Sequence, residues 1–517
     1  MPMMPGPAAR LKKLLIFVHR WMGVGLCLLF AMWFSSGMVL MYWDYPSVSG
    51  ADRLERAPAL DPLEIRLSLQ QAYLKLATSE PPTEVRVETL DQRPAYKFRF
   101  GAFDRIVYAD NGQEQSDFTP EFTLRTAAAW TRQPSATAKA EELTSEDQWT
   151  VSGEFSELRP LRKYSWPDGE EVYVSTVTGE VAQYTTRASR VGAYFGAIPH
   201  WLYFTPLRRH AEQWTQLVIW ASGLGSVAAL LGIAIGVWVF SPAKQYTRAG
   251  VPSSIPYSGQ KWWHAVLGLI FGICACTWAF SGMLSMDPFP RWQEGSSEAP
   301  DATLDAPLDA TLAAALRGSP QLDAFAGKSP REALVQAQGQ GGADFHAKQL
   351  ELISFAGEPF YLATAASHRT RIIPVHDTMH GETAGESASE FSQDQIANAM
   401  RGAAGSLTEI RRVTEYEAYY LDRKNQLPLP VIFAQLNDQA RSSYYIDPQT
   451  AQIVQTYNSH SRWNRWLYHG LHSVNLPWLY KHRPAWDIVM LSAMLGGASL
   501  SITAIILAWR VVRRTIS

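Results

Sequence analysis

His19-Arg20-Trp21-Met22-Gly23, early in an apolar run from Leu14 to Trp43, is answered 245 residues later by His264-Ala265-Val266-Leu267-Gly268, early in a run from Trp262 to Met286. The register holds to the end of both runs, where Ser36-Gly37-Met38 matches Ser281-Gly282-Met283. Two more apolar runs, Thr215 to Phe240 and Ile488 to Trp509, belong to a second match at an offset of 272. That match pairs Tyr173 with Tyr445, Thr178 with Thr450, Gln183 with Gln455, Arg190 with Arg462, His200 with His472, His210 with His482 and Trp214 with Trp486, without a gap. Each run is long enough to cross about 30 Å of hydrocarbon at about 1.5 Å per residue. The pattern predicts an integral membrane α-helical bundle: four transmembrane helices in a pseudo-twofold tandem repeat, with the axis along the membrane normal.

Between the spans the sequence is of ordinary soluble character, so the overall 47% hydrophobic and 18% charged content averages two unlike materials. Asp61-Pro62 looks like the cap and first turn of a helix from Leu63 to Ala77. Pro94 to Tyr108 then alternates in the manner of strands before the turn Asp110-Asn111-Gly112. The order recurs: Ser392 can cap a helix carrying Ile396 and Met400 on one face, followed by strands at Val431 to Phe433 and around Tyr444 to Val454. Asp117 to Ser145 and Gln293 to Asp309 are polar, poorly patterned and read as linkers. The expected divisions are 1–43 (N-terminus and first span), 44–195 (first outer domain), 196–241 (interfacial segment and second span), 242–261 (short loop), 262–286 (third span), 287–465 (second outer domain) and 466–517 (interfacial segment, fourth span and tail). Each outer domain is expected to hold two helix-on-sheet units.

Charge orients the chain. Arg10, Lys12, Lys13, Arg20, Lys244, Arg248, Lys261, Arg510, Arg513 and Arg514 stand in stretches free of Asp and Glu, whereas the two large segments hold the other 36 basic residues against all 48 acidic ones. The positive-inside rule then makes both termini and the short loop cytoplasmic and puts the outer domains on the far side. The first span lacks a small-residue cleavage pattern and ends in Tyr42-Trp43-Asp44-Tyr45, the signature of a retained anchor. Acidic outer domains and a net charge of −2 give no support to nucleic-acid binding. Cys27, Cys274 and Cys276 all lie in spans, so the outer domains have no disulfide to form.

Four of these features carry a resemblance: His-Arg-Trp-x-Gly opening a span, Ser-Gly-Met closing it, Tyr-x-Ser-x-Val-Thr-Gly-Glu-Val at Tyr173 to Val181, and Leu-His-Ser at Leu471 to Ser473. Together they resemble the PepSY-associated transmembrane family of bacterial inner-membrane proteins, across essentially the whole chain. The resemblance implies two periplasmic α+β PepSY-like domains. Characterised relatives include haem-containing ferric-siderophore reductases, and some others carry a cytoplasmic flavin reductase domain. The loop from Ser241 to Lys261 is too short for such a domain, so no flavin or NAD(P)H site is expected in this chain.

An ionisable residue at a bilayer is a functional hypothesis by default. The matched histidines form two sets, His19 with His264 about a turn inside the cytoplasmic ends of their spans, and His200 with His472 just outside the other ends. Two neutral imidazoles facing across an apolar gap can supply both axial ligands of a b-type haem, and no Cys-x-x-Cys-His attachment is present. Two haems b are expected on this reading. Gly23 and Gly268, one turn on, would leave room for a flat macrocycle; helix packing is the alternative for them and for Gly37 and Gly282. A snorkelling or hydrogen-bonded role is the plain alternative for each histidine.

His210 and His482 stand among basic residues and suit interface anchoring, or contacts to haem propionates. His469, matched by Ala197, rivals His472 as the outer ligand. His376 and His380 have i, i+4 spacing that would bind a metal on a helix, but Pro374 and the β-branched Ile372-Ile373 argue for a strand and turn, where that spacing means little. Trp201, Tyr203, Phe204, Trp478 and Tyr480 read as an aromatic belt. With Arg208, Arg209, Lys481 and Arg483 they could instead dock a ferric chelate arriving from outside.

Three functions compete. The first is an electron conduit, a haem-dependent ferric-chelate (siderophore) reductase drawing on a quinol or a cytoplasmic reductase. The second is a non-redox permease or accessory protein for an iron chelate, which the lack of a Pro- or Gly-broken span pair and of a buried midplane carboxylate or Lys disfavours. The third is a membrane-anchored periplasmic peptide-binding regulator. The sequence leaves the oligomeric state open.

Overall fold

The computed structural model describes residues 7–143, 145–248, 250–288, 307–341, 344–376 and 388–516. Four of its helices are long and apolar enough to cross a membrane: α1 (Pro7–Leu40), α2 (Ala211–Val239), α3 (Gln260–Leu284) and α4 (Ala485–Ile516). Each begins ahead of its apolar run, because backbone hydrogen bonding does not stop where hydropathy does. Helix α1 ends at Leu40 and leaves Tyr42-Trp43 outside it. Helix α1 packs against α2 and α4, and α3 packs against the same two, so α1 and α3 stand diagonally across a four-helix bundle. Small residues make the close packing possible: side chains from neighbouring helices occupy the space a Cβ would take at Gly225 (Phe30), Gly272 (Ile233), Gly496 (Phe271) and Gly497 (Phe34).

The segments following α1 and α3 each supply two helix-on-sheet units. In the first segment the helix Leu69–Lys75 accompanies β1 (Glu84–Leu90), β2 (Arg93–Phe100), β3 (Phe103–Tyr108) and β4 (Glu114–Gln115), and the helix Pro120–Thr131 packs on the last three strands of a sheet of β5 (Lys139–Leu143), β6 (Leu161–Ser165), β7 (Glu171–Ser175) and β8 (Val181–Thr185). The short loop between α2 and α3 folds into a hairpin, β9 (Tyr246–Arg248) and β10 (Val251–Ser253). In the second segment the helix Pro330–Gly341 packs on β12 and β13 of a trio, β11 (Gln349–Phe355), β12 (Glu358–Ala366) and β13 (Arg369–Pro374). The helix Gln393–Ala404 packs on the sheet of β14 (Leu407–Val413), β15 (Val431–Leu436), β16 (Ser443–Asp447) and β17 (Gln452–Tyr457).

The two segments do not stay apart. Strand β1 pairs antiparallel with β11, setting Val85 opposite Leu352 and Val87 opposite Leu350, and joins both segments into a seven-stranded sheet ordered β13-β12-β11-β1-β2-β3-β4. One apolar core runs beneath the seam, with Val85, Val87, Tyr96 and Phe98 from one side and Leu350, Leu352, Tyr361 and Ile373 from the other. Arg86 and Glu351 face each other across it, an opposite-charge cross-strand pair.

Two expectations need correction. The helix expected from Leu63 to Ala77 is broken: Asp61 caps only the short 3-10 turn Pro62–Glu64, the backbone N–H groups of Arg66 and Leu67 donate to Ala109, and Ser68 then caps Leu69–Lys75 through a capping box with Gln71. Asp117 to Ser145 is not a linker. Thr119 caps the helix Pro120–Thr131, whose Phe122, Thr123, Ala127 and Trp130 are buried, and β5 follows. Of the other expected linker, 293–306 lie outside the described residues and a helix runs from Pro307 to Leu316. The cap expected at Ser392 is formed, with Gln395 closing the box and Ile396 and Met400 buried. Ser392→Ala should therefore cost about 1 kcal/mol, read as a lower unfolding temperature of the purified protein in detergent.

Candidate functional site

The diagonal placement of α1 and α3 brings His19 and His264 face to face, with ring centroids 6.2 Å apart and planes at 41°. Near the sheets, His200, at the end of the short helix Ala197–His200, meets His472, just after the π-helical turn Trp466–Gly470. Their centroids are 6.1 Å apart and their planes at 67°. From His19 to Trp33, which lies beside His200, α1 rises about 20 Å. The bundle thus holds one histidine pair at each of two levels.

All four imidazoles are held in the same tautomer. His19 donates from Nδ1 to the Ala228 carbonyl at 2.9 Å, and His200 donates to the Trp33 carbonyl at 3.1 Å. His264 Nδ1 lies 3.0 Å from Thr503 Oγ1 and His472 Nδ1 lies 2.9 Å from Ser281 Oγ. Those hydroxyls already donate to the Leu500 and Trp278 carbonyls, so each accepts from its histidine. With Nδ1 protonated, Nε2 carries the lone pair, and no described residue bonds to it. This is how ligand histidines are commonly oriented. Burial pulls His200 down to about 4 and His472 down to about 3, where the neighbouring His200 imidazole also disfavours a second positive charge, so both are neutral at pH 7.

Glycine is needed beside the rings. A Cβ on Gly232 of α2 would lie 2.7 Å from His19 Cε1, and one on Gly37 would lie 3.2 Å from His200 Cε1. Gly282 stands at the equivalent place, 3.9 Å from His472 Cε1. A cavity of about 600 Å³ opens around the outer pair, lined by Trp33, Phe34, Gly37, Trp278, Gly282 and both histidines among others. That volume is typical of a small-molecule or cofactor site. Phe30, Phe34 and Trp278 pack in sequence on the cavity wall, with centroids 6.3 and 5.7 Å apart.

The donor set suits a metal held in a macrocycle. Two imidazoles bound to one metal at about 2.0–2.1 Å put their ring centres about 6 Å apart, as both pairs are. Among the described residues no group of three or more His, Cys, Asp or Glu could hold a bare ion. Two protein ligands are what a planar tetrapyrrole, with its own four nitrogens, leaves to be filled.

The other expected site residues fall elsewhere or into secondary places. Among the described residues nothing approaches a Cβ on Gly23 within 4 Å, and only Leu500 Cδ1, at 3.8 Å, approaches one on Gly268. His469 lines the outer cavity, its ring 4.5 Å from that of Tyr468. His210 and His482 are exposed, and His482 Nδ1 lies 2.5 Å from the Trp478 carbonyl. Trp201, Tyr203 and Tyr480 line the cavity, while Arg209 is exposed. Arg208 stacks over Trp214 at 4.6 Å, Lys481 pairs with Glu415 at 2.6 Å, and Arg483 pairs with Asp487 at 2.7 Å. His376 is exposed in a bend after β13, not on a helix, and His380 lies outside the described residues.

Sequence reasoning did not single out Gly232, Ser281 or Thr503. Ser281 stood in the Ser-Gly-Met match and could have been found there. Gly232 could not, because the residue matched to it is Ala504. The profile of a family described as PepSY-associated TM region matches residues 17–377 and 261–516. Among curated proteins nothing matches.

Proposed function

The chain belongs to the PepSY-associated TM region family, and on that premise and its two histidine pairs we propose that it is a transmembrane electron carrier, holding two b-type haems and reducing a ferric chelate such as a siderophore. The observation that carries the reading is the pairing itself: imidazoles about 6 Å apart at two levels, with Nδ1 donating and Nε2 open. The two halves act as tandem copies about an axis between α1 and α3. Both termini lie in the cytoplasm of a bacterium, the spans lie in its inner membrane, and the sheets lie in the periplasm.

Bound haem supplies one-electron exchange between ferric and ferrous iron. The chain does the rest. His19 with His264 and His200 with His472 would hold the two haems through Nε2, while the Ala228 and Trp33 carbonyls and the Ser281 and Thr503 hydroxyls fix their tautomer. Phe30, Phe34 and Trp278 keep water from the space between the levels. Trp201, Tyr203 and Tyr480 give the outer rim an aromatic face for a bulky chelate. One electron, from a quinol or a cytoplasmic reductase, converts the chelated ferric ion to ferrous, which the chelator holds less tightly and releases.

The test is vesicles containing the purified protein and an enclosed reductant that cannot cross the bilayer, with a ferric hydroxamate and a ferrous-iron indicator outside. Ferrous iron should appear outside at a rate proportional to protein; a rate equal to that of protein-free vesicles would overturn the reading. Ser281→Ala removes the hydroxyl that orients His472. Competition for haem against an apo-globin should show the outer site weakened by about 10–100-fold, with the inner site unchanged.

A further inference from the structure

Arg465 ends the helix Ser459–Arg465, immediately before the π-helical turn, and is 4% exposed. Its Nε donates to the Ala418 carbonyl at 2.6 Å, and Nη2 donates to the backbone and side-chain oxygens of Asn475 at 2.8 and 3.2 Å. Nη1 is buried with no partner. The guanidinium lies over the Trp466 ring at 4.3 Å, and Tyr419, Tyr457 and Tyr480 surround it. No described carboxylate is within ion-pair distance of it.

A buried cation without an anion is costly, and this chain avoids that elsewhere. Lys97, 7% exposed, sits among Glu88, Asp104 and Glu180. Arg423, which lines the outer cavity, pairs with Asp44 at 3.2 Å. Arg465 is not part of the cavity wall itself but is bonded to Asn475, which lines the cavity together with Tyr468 and His469. A Cβ on Gly470 would lie 3.8 Å from Nη1 and 3.1 Å from Trp466 Cε3, so glycine keeps side-chain bulk off this face of the guanidinium and its Trp466 partner. The turn that follows Arg465 is a π-helix, a rare form frequently found at functional sites. The residue 272 positions earlier is the buried Ala193, so the shared scaffold does not require a charge there.

We propose that Arg465 is the carboxylate-binding residue of the outer cavity, its Nη1 taking an ionised carboxylate of the molecule held between His200 and His472, which on the function proposed above is a haem propionate. The site then discriminates by charge as well as by iron ligation. Because only the second half carries this arginine, the outer site is asymmetric and selects one orientation of the macrocycle.

The test compares haem b with its dimethyl ester, which keeps the iron and ring but has no ionised carboxylate. Both are titrated into haem-depleted full-length protein on a His19→Ala background, so that the outer pair alone is read, with Arg465 retained or changed by Arg465→Gln or Arg465→Lys. With Arg465 present, haem should bind about 10–100-fold more tightly than the ester, the worth of one charge-assisted hydrogen bond. Arg465→Gln should erase that preference by weakening haem alone, and Arg465→Lys should keep part of it. Equal affinity for haem and ester in the protein that retains Arg465 overturns the proposal, whatever the variants do. Uptake of neither porphyrin would overturn the haem function itself and this inference with it.

Discussion

On the proposed reading, His472→Ala should leave purified protein with about one b-type haem where the unaltered chain should hold two, and His200→Ala should do the same. The argument is one of ligand supply. The outer pair offers two nitrogens, each oriented by its own contact to α1 or α3, and the cavity around them is otherwise mostly aromatic and aliphatic. Removing one nitrogen would leave a single imidazole to hold the haem, which the remaining contacts should not retain. Haem quantified as its pyridine complex, with the optical spectrum recorded alongside, measures the loss. His469→Ala is the informative control: His469 lines the same cavity, but His472 is the residue 6.1 Å from His200, so His469→Ala should keep both haems. Retention of two haems with an unchanged low-spin spectrum in His472→Ala would contradict the assignment.

On the same reading, Gly232→Leu should empty the inner level of haem and spare the outer one. The Cβ alone would stand 2.7 Å from His19 Cε1. The ring cannot swing aside without giving up its bond to Ala228, which lies one turn earlier on the same helix. His19 should therefore leave its place opposite His264, and the proposed reduction across the bilayer should fall to the rate of protein-free vesicles while about one haem remains. Gly232→Ala should give a partial loss. Gly268→Ala should be tolerated, since its nearest neighbour, Leu500 Cδ1, is at an ordinary contact distance of 3.8 Å. Two retained haems in Gly232→Leu would mean that the helices part freely enough for the ring to stay.

What could be read from the chain follows from the range of the signals involved. The four spans were legible because about 20 apolar residues in a row have few other uses. The histidine sets were legible through duplication: matched positions on matched helices must meet if the copies share an axis, and His19 with His264 and His200 with His472 do meet. The β1 to β11 seam was not legible. Alternation at Val85 and Val87 marks a strand but carries no address for Leu350 and Leu352, more than 260 residues away. Pro120 to Thr131 read as a linker because threonines and alanines dilute its apolar face, although Thr119-Pro120 is a good helix start. Arg465 was invisible for a different reason: whether a charge has a partner is a property of the folded chain alone.

The haem content of the unaltered protein, purified in detergent from haem-replete cells, tests the central claim most directly. A reduced-minus-oxidised spectrum of six-coordinate, low-spin b type, with about two haems per chain, is the result predicted. Colourless protein from those cells would contradict it and leave the histidine pairs as helix-packing contacts.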